Sequence, residues 1–272
     1  MRTASRCRAM AMVVAVLSAA SGVARAQEIK VAGTGTATEL LRQVGAEFLA
    51  TSGVKVQVIP SLGSGGAIVA LRDGVIDLAV SARTLKADEE AAGLKQVAVM
   101  RTAFVLVTSQ ATADALKTAD LPGLVSSSAP AWSNGTAIRL ILRPRSESDT
   151  ALMGAMYAGM PEAIESLRAR TDVPVAATDQ NNADMAERIP GSLTGSTMAQ
   201  LKAEKRDLRI VSLDGAAPTL ANVESGAYPF SKKLHFIVRA NVSPEVARFV
   251  EFLRSPQGEK ALRELETSTW TE

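Results

Sequence analysis

The sequence predicts an α/β protein made of two successive sets of strand–helix units. Three observations carry this. Apolar β-like runs alternate with helical stripes up to about residue 109, the alternation lapses over a turn-rich stretch at 111–136, and it resumes at 137. With 272 residues, of which 47% are hydrophobic, the chain can bury two modest cores. Two lobes are therefore expected rather than one long sheet.

The elements follow in order. "EIKVAG" (28–33) reads as a strand, and "TATELLRQVGAEFLATSG" (36–53) as a helix whose stripe is Leu40, Leu41, Val44 and Phe48, with Gly53 as its stop. Next come strand "VKVQVIP" (54–60), helix "GAIVALRDG" (66–74), strand "IDLAVS" (76–81), an acidic helix start at "KADEEAA" (86–92) and strand "TAFVLVTS" (102–109). After the turn-rich connection the pattern gives strand "AIRLILR" (137–143), helices "DTALMGAMYAG" (149–159) and "MPEAIESLRAR" (160–170), strand "VPVAAT" (173–178) and helix "NNADMAERI" (181–189). A short "GSLTGST" and strand "LRIVSL" (208–213) follow. The tail holds two capped helices, each opened by Ser-Pro: Ser243-Pro244-Glu245 and Ser255-Pro256.

The first 26 residues read as an address. Arg2, Arg6 and Arg8 precede the apolar run "AMAMVVAVLSAA", and "ARA" ends at Ala26, the pattern of a secretory signal cleaved before Gln27. The run is too short for a permanent membrane anchor. Cleavage also changes the charge. The signal holds four arginines and no acid, so 26 of the 30 bases remain against 28 acids. A chain near −2 with 4% aromatics does not fit nucleic-acid binding. The single cysteine, Cys7, leaves with the signal, so neither a disulfide nor a thiolate metal site is expected.

Three loops share one design, in which a strand ends, small or hydroxyl residues follow and a helix begins: "AGTGTAT" (32–38), "SLGSGGA" (61–67) and "RPRSESDTA" (143–151). A helix start carries unpaired N–H groups and about half a positive charge, which attract anions. Glycine lets an oxyanion approach that backbone, and Thr36, Ser64, Ser148 and Thr150 add hydroxyls. Taken singly, each loop is better read as ordinary capping, and it is the presence of three in one chain that points to an anion site.

Other chemistry fits poorly. "GSGGAIV" lacks the Gly-Lys-Ser/Thr ending of a nucleotide P-loop, and "GTGTAT" has Thr38 where the dinucleotide fingerprint has its third glycine. The one histidine, His235, lies in an apolar run, and there is no Gly-x-Ser-x-Gly elbow, so no enzyme is expected. Neither metal nor cofactor is expected, because one histidine and scattered acids offer no ligand spacing.

At "GSGG" followed by "GVIDLAVSARTL", at "YPFSKKLHFIV" and at "SPEVARFVEFLRSPQGEKAL", the chain resembles the phosphate-binding proteins of bacterial phosphate ABC transporters, which are periplasmic type II solute-binding proteins. The resemblance covers nearly all of the chain after the signal. It implies two α/β lobes joined by two crossover strands, lobe 1 being 27–107 with 234–272 and lobe 2 being 108–233. It further implies a periplasmic monomer that holds phosphate between the lobes and hands it to a membrane permease.

Carried over by position, the ligand-binding residues are Thr34, Gly35 and Thr36 in the first loop, Ser64 and Gly65 in the second, and Ser81 and Arg83 at the following strand end. In the third loop they are Arg143 or Arg145 with Ser148, Asp149 and Thr150. There are two departures. Ala82 stands where the family has an Asp that accepts the proton of hydrogen phosphate, a change that suits sulfate, molybdate or tungstate. Asp149 stands where the family has glycine, and a carboxylate there repels an anion unless it is paired. A sensory role toward a membrane partner is the alternative to transport.

Overall fold

The computed structural model describes residues 27–60 and 62–270. Residues 1–26, read from sequence as a signal and including Cys7, lie outside the described residues. Among the described residues there are nine strands in one continuous sheet, flanked by eleven α-helices.

The first half opens with β1 (Glu28–Gly33), α1 (Thr36–Ser52), β2 (Lys55–Ile59), α2 (Gly63–Arg72), β3 (Leu78–Ser81) and α3 (Ala87–Ala91). Helix α1 forms where its stripe demands: Leu40, Leu41, Val44 and Phe48 are all buried. Gly53, in the left-handed region at φ 71°, ends it with an N–H bond to the Leu49 carbonyl. The glycines of "GSGG" lie inside the first turn of α2 rather than before it.

Strand β4 (Leu94–Thr108) is the pivot of the architecture. The sequence pattern marks only its second half, because the first half reads "LKQVAVMR", with polar residues breaking the apolar run. From Leu94 to Ala103 it pairs antiparallel with β8, and from Phe104 onward with β6, so one strand passes from one half-sheet into the other.

The second half follows as α4 (Leu121–Ser126), β5 (Arg139–Leu140), α5 (Ser148–Gly154), α6 (Met160–Arg168), α7 (Asp179–Arg188), β6 (Ser192–Thr197), α8 (Met198–Glu204), β7 (Arg209–Ile210) and α9 (Leu220–Ser225). Here several strand expectations shrink. "AIRLILR" yields a two-residue β5, and "VPVAAT" yields only a bridge between Val175 and Leu142, since Pro174 has no N–H to extend a ladder. "GSLTGST", to which the sequence pattern assigns no element, supplies β6, fully buried and paired with both β4 and β5.

The chain returns to the first half through β8 (Ser231–Arg239), then closes with α10 (Pro244–Leu253), α11 (Pro256–Glu264) and β9 (Thr267–Trp270), the last an addition on β4 that the pattern did not signal. Both tail helices are capped as expected, Ser243 accepting from the Val246 N–H and Ser255 from the Gly258 N–H. The sheet order is β2-β1-β3-β8-β4-β6-β5, with β7 and β9 also on β4. β1, β2 and β3 run parallel, as a strand–helix alternation requires.

Each half has its own core. Leu40, Phe48, Val80, Phe236 and Phe249 anchor the first, where the Phe48 and Phe249 rings meet at 5.2 Å. Phe104, Trp132, Met160 and Leu193 anchor the second. Between them, α8 packs Ala199 and Ala203 into the first core. This brings the amino ends of α1 and α7 face to face.

Candidate anion-binding site

The site is built where β1 hands over to α1. Thr34 turns the chain by donating its N–H to the Val80 carbonyl at 2.9 Å, and Gly35 leads straight into the helix. The first helical residue, Thr36, therefore points its N–H out of the helix end with no partner in its own helix. Its partner comes from 143 residues away. The Thr36 N–H donates to Asp179 Oδ2 at 2.6 Å, the Thr36 hydroxyl to the same oxygen at 3.1 Å, and the Thr34 hydroxyl to it at 3.4 Å.

The other carboxylate oxygen, Asp179 Oδ1, takes Arg143 Nη2 at 2.7 Å. Arg143 is held from behind by the Ala176 carbonyl on Nη1 at 2.5 Å, with Glu147 3.5 Å from Nη2. Lys232, from β8, completes the group: Nζ lies 2.5 Å from Asp149 Oδ1, 3.1 Å from the Thr36 hydroxyl and 3.6 Å from Asp179 Oδ2. Arg143, Lys232, Asp149 and Asp179 are each exposed by 4% or less. Two cations and two carboxylates thus sit together out of water.

Such a cluster holds only if every charge is matched. Burial alone would raise the pKa of Asp179, but Lys232, Arg143 and the two Thr36 hydrogen bonds outweigh it and hold the carboxyl below its usual range. For Lys232, burial would lower the pKa, and the Asp149 and Asp179 charges outweigh that and hold the ammonium above its usual range. Asp149 has fewer donors, and burial pushes its carboxyl up. Glu147, half-buried at the rim, is raised by the same cause.

Gly35 is required by this closeness. A Cβ there would stand 2.7 Å from Asp179 Cβ and 2.8 Å from Gln180 Oε1. Gln180 adds a clasp, donating to the Gly35 carbonyl at 3.0 Å and to Glu204 at 2.7 Å. Beside the carboxylate lies a cavity of about 70 Å³ bounded by Gly35, Leu62, Gly63, Arg143, Glu147 and Asp179.

Of the residues singled out from sequence, the structure brings Thr34, Gly35, Thr36, Arg143 and Asp149 into this cluster. Others lie elsewhere or are engaged otherwise. Arg145 is exposed and ion-paired with Glu165, so Arg143 is the arginine that enters the cluster. Arg83 makes a bidentate pair with Glu89 at 2.6 and 2.8 Å. Ser81 bonds the backbone of Arg83, and the Ser64 hydroxyl accepts the Ala82 N–H at 2.9 Å. Gly65 is exposed, half-buried Ser148 begins α5, and the Thr150 hydroxyl donates to the carbonyls of Arg143 and Pro144.

Sequence reasoning missed Lys232 and Asp179. Lys232 carried a signal: it alternates with Leu234, Phe236 and Val238 on the buried face of a strand, where a lysine needs partners. Asp179 carried none, because Thr178-Asp179 reads as an ordinary helix start, and Thr178 does cap α7 by accepting from Asn181 N–H. His235, 3% exposed, meets Gln96 at 2.6 Å within the sheet.

A pair of α/β half-sheets linked by long shared strands, with helix starts converging between them, defines a two-lobed binding protein. The profile of the PBP superfamily domain matches residues 18–257, and the chain belongs to that superfamily. Its fold is that of the type II periplasmic binding proteins.

A putative phosphate ABC transporter substrate-binding protein from Clostridium perfringens, solved with bound phosphate, superposes with TM-score 0.74 at 16% identity, over 90% of this chain and 100% of that one. An ABC-type phosphate transport receptor from Vibrio cholerae gives 0.60 at 16%, over 89% and 99%. The periplasmic molybdate-binding protein of Azotobacter vinelandii gives 0.58 at 12%, over 89% and 100%. At these identities the likeness is one of fold. No curated protein matches the chain.

Proposed function

We propose that this chain is a periplasmic solute-binding protein that captures a small oxyanion, phosphate foremost, between its lobes and delivers it to an ABC-transporter permease. The observation that carries the reading is the set of donors gathered on one buried acceptor: the Thr36 N–H, the Thr34 and Thr36 hydroxyls, and the Arg143 guanidinium, with Lys232 close by. This is an anion cradle by its chemistry, whatever fills it. Each charge-assisted bond contributes about 1.5–3 kcal/mol, whereas micromolar affinity needs about 8 kcal/mol.

The lobes divide where the long strands change partners. β4 leaves β8 for β6 at residues 103–104, and the chain returns at 230–231, where the Phe104 N–H meets the Phe230 carbonyl. Closing about these two strands brings Thr36 and Arg143 onto one ligand. The role is binding rather than catalysis. No helix among the described residues is long and apolar enough to cross a membrane. The leader sequence supports export to the periplasm, and the phosphate-transport and bound-phosphate descriptions of the similar structures support the ligand.

A second reading keeps the fold and changes the anion. Ala82 offers no carboxylate to accept a ligand proton, which favours sulfate, molybdate or tungstate, and the molybdate-binding neighbour fits this. Isothermal titration of the secreted form with phosphate, sulfate, molybdate and tungstate decides between them. Phosphate is expected to bind most tightly; silence toward all four anions contradicts the oxyanion reading.

A further inference from the structure

The cradle already contains an anion, and that anion belongs to the chain. We infer that Asp179 is an internal competitor, a tethered carboxylate that occupies the cradle and must be displaced before an external oxyanion can enter. This rests on the oxyanion reading and deepens it by naming the residue that sets the threshold for binding.

Charge balance makes the first case. Arg143 and Lys232 are matched by Asp149 and Asp179, and Glu147 adds a third carboxylate at the rim. An oxyanion placed in the adjoining cavity with Asp179 still seated would face three carboxylates with no cation to spare, and charges a few ångströms apart in a dry site repel by several kcal/mol. The same oxyanion with Asp179 withdrawn inherits the Thr36 N–H, both threonine hydroxyls, Arg143 and Lys232.

Unused capacity makes the second. Arg143, 3% exposed, has its Nε buried without a hydrogen-bond partner, although both Nη atoms are engaged. A carboxylate has two oxygens and leaves that donor idle; a tetrahedral oxyanion brings four. Gln180, the next residue, borders the same cavity. The seat is therefore incompletely filled by the side chain now in it.

Topology makes the third. Asp179 opens α7, and with Gln180 it is fastened to Gly35 and Thr36 at the start of α1. The internal ligand thus ties one lobe to the other in the way a captured anion does. A lobe pair closed on its own carboxylate is withheld from the binding-competent state, and apparent affinity falls in proportion to the fraction that is free.

The test measures phosphate affinity by titration for the natural chain, Asp179→Ala and Asp179→Asn. The alanine variant opens the seat; the asparagine variant keeps the shape and removes the charge, and it carries the test if the alanine variant fails to fold. The expected result is phosphate binding at least tenfold tighter in the variants, including the case in which the natural chain shows none. Equal or weaker binding by the variants, with the natural chain still binding, overturns Asp179 as competitor and leaves the oxyanion reading intact. Silence from all three proteins toward phosphate, sulfate and molybdate overturns both.

Discussion

The loops that open α1 and α2 look alike in sequence and differ in the folded chain. Both follow a parallel strand, both are made of glycine and hydroxyl residues, and both start a helix. "GTGT" became the floor of a buried charged cluster, while "GSGG" stayed half-buried to exposed, with its serine engaged by the Ala82 N–H. What separates them is not their own residues. Lys232 comes from β8 and Asp179 from the start of α7, both meeting Thr36 directly, and Arg143 joins them through Asp179. A helix start becomes an anion site when distant charges are delivered to it.

The sharpest way to break this comparison is to remove the delivered charge. Lys232→Met leaves Asp149 and Asp179 buried with one cation fewer, and the expected loss is about 3–5 kcal/mol in urea unfolding. Adding Asp149→Leu to that variant should restore part of the loss, because the stranded carboxylate goes with its partner. A loss below about 1 kcal/mol would mean that the cluster is hydrated and the two loops are not different in kind.

A smaller effect follows from pH. Asp179 titrates below the usual aspartate range in the folded chain and near pH 3.9 when unfolded, so its contribution is complete above about pH 4 and is lost as pH falls through the folded value. The stability gap between the natural chain and Asp179→Asn is therefore expected to stay level from neutral pH to about 4 and to close below it. A gap that closes already between pH 7 and 5 would place the loss on another group.

The smallest effect belongs to the second loop. Ser64→Ala removes one hydrogen bond, and about 1 kcal/mol of stability is expected to go with it. A cost matching that of Lys232→Met would erase the contrast between the loops.

Much of the fold was legible from residues alone. The α1 stripe, the Gly53 stop and the Ser-Pro starts of α10 and α11 are local devices, and local devices survive folding unchanged. The failures have a common cause. Apart from Leu193, β6 is made of Ser, Thr and Gly because it is enclosed by β4, β5 and α7, a tertiary fact that no window of its own residues displays. The site divided the same way: loop chemistry and resemblance pointed to Thr34, Gly35 and Thr36 and to one of Arg143 and Arg145 without choosing between them, whereas Asp179 is defined by a contact across 143 positions of sequence.

The central claim is that the donors on Thr36, Arg143 and Lys232 form one seat, filled by Asp179 until an oxyanion replaces it. A crystal structure of the natural chain grown with saturating phosphate tests it most directly. The account predicts a phosphate oxygen on the Thr36 N–H and on Arg143, with the Asp179 carboxylate moved away. Phosphate bound elsewhere, with Asp179 still on Thr36, would contradict it.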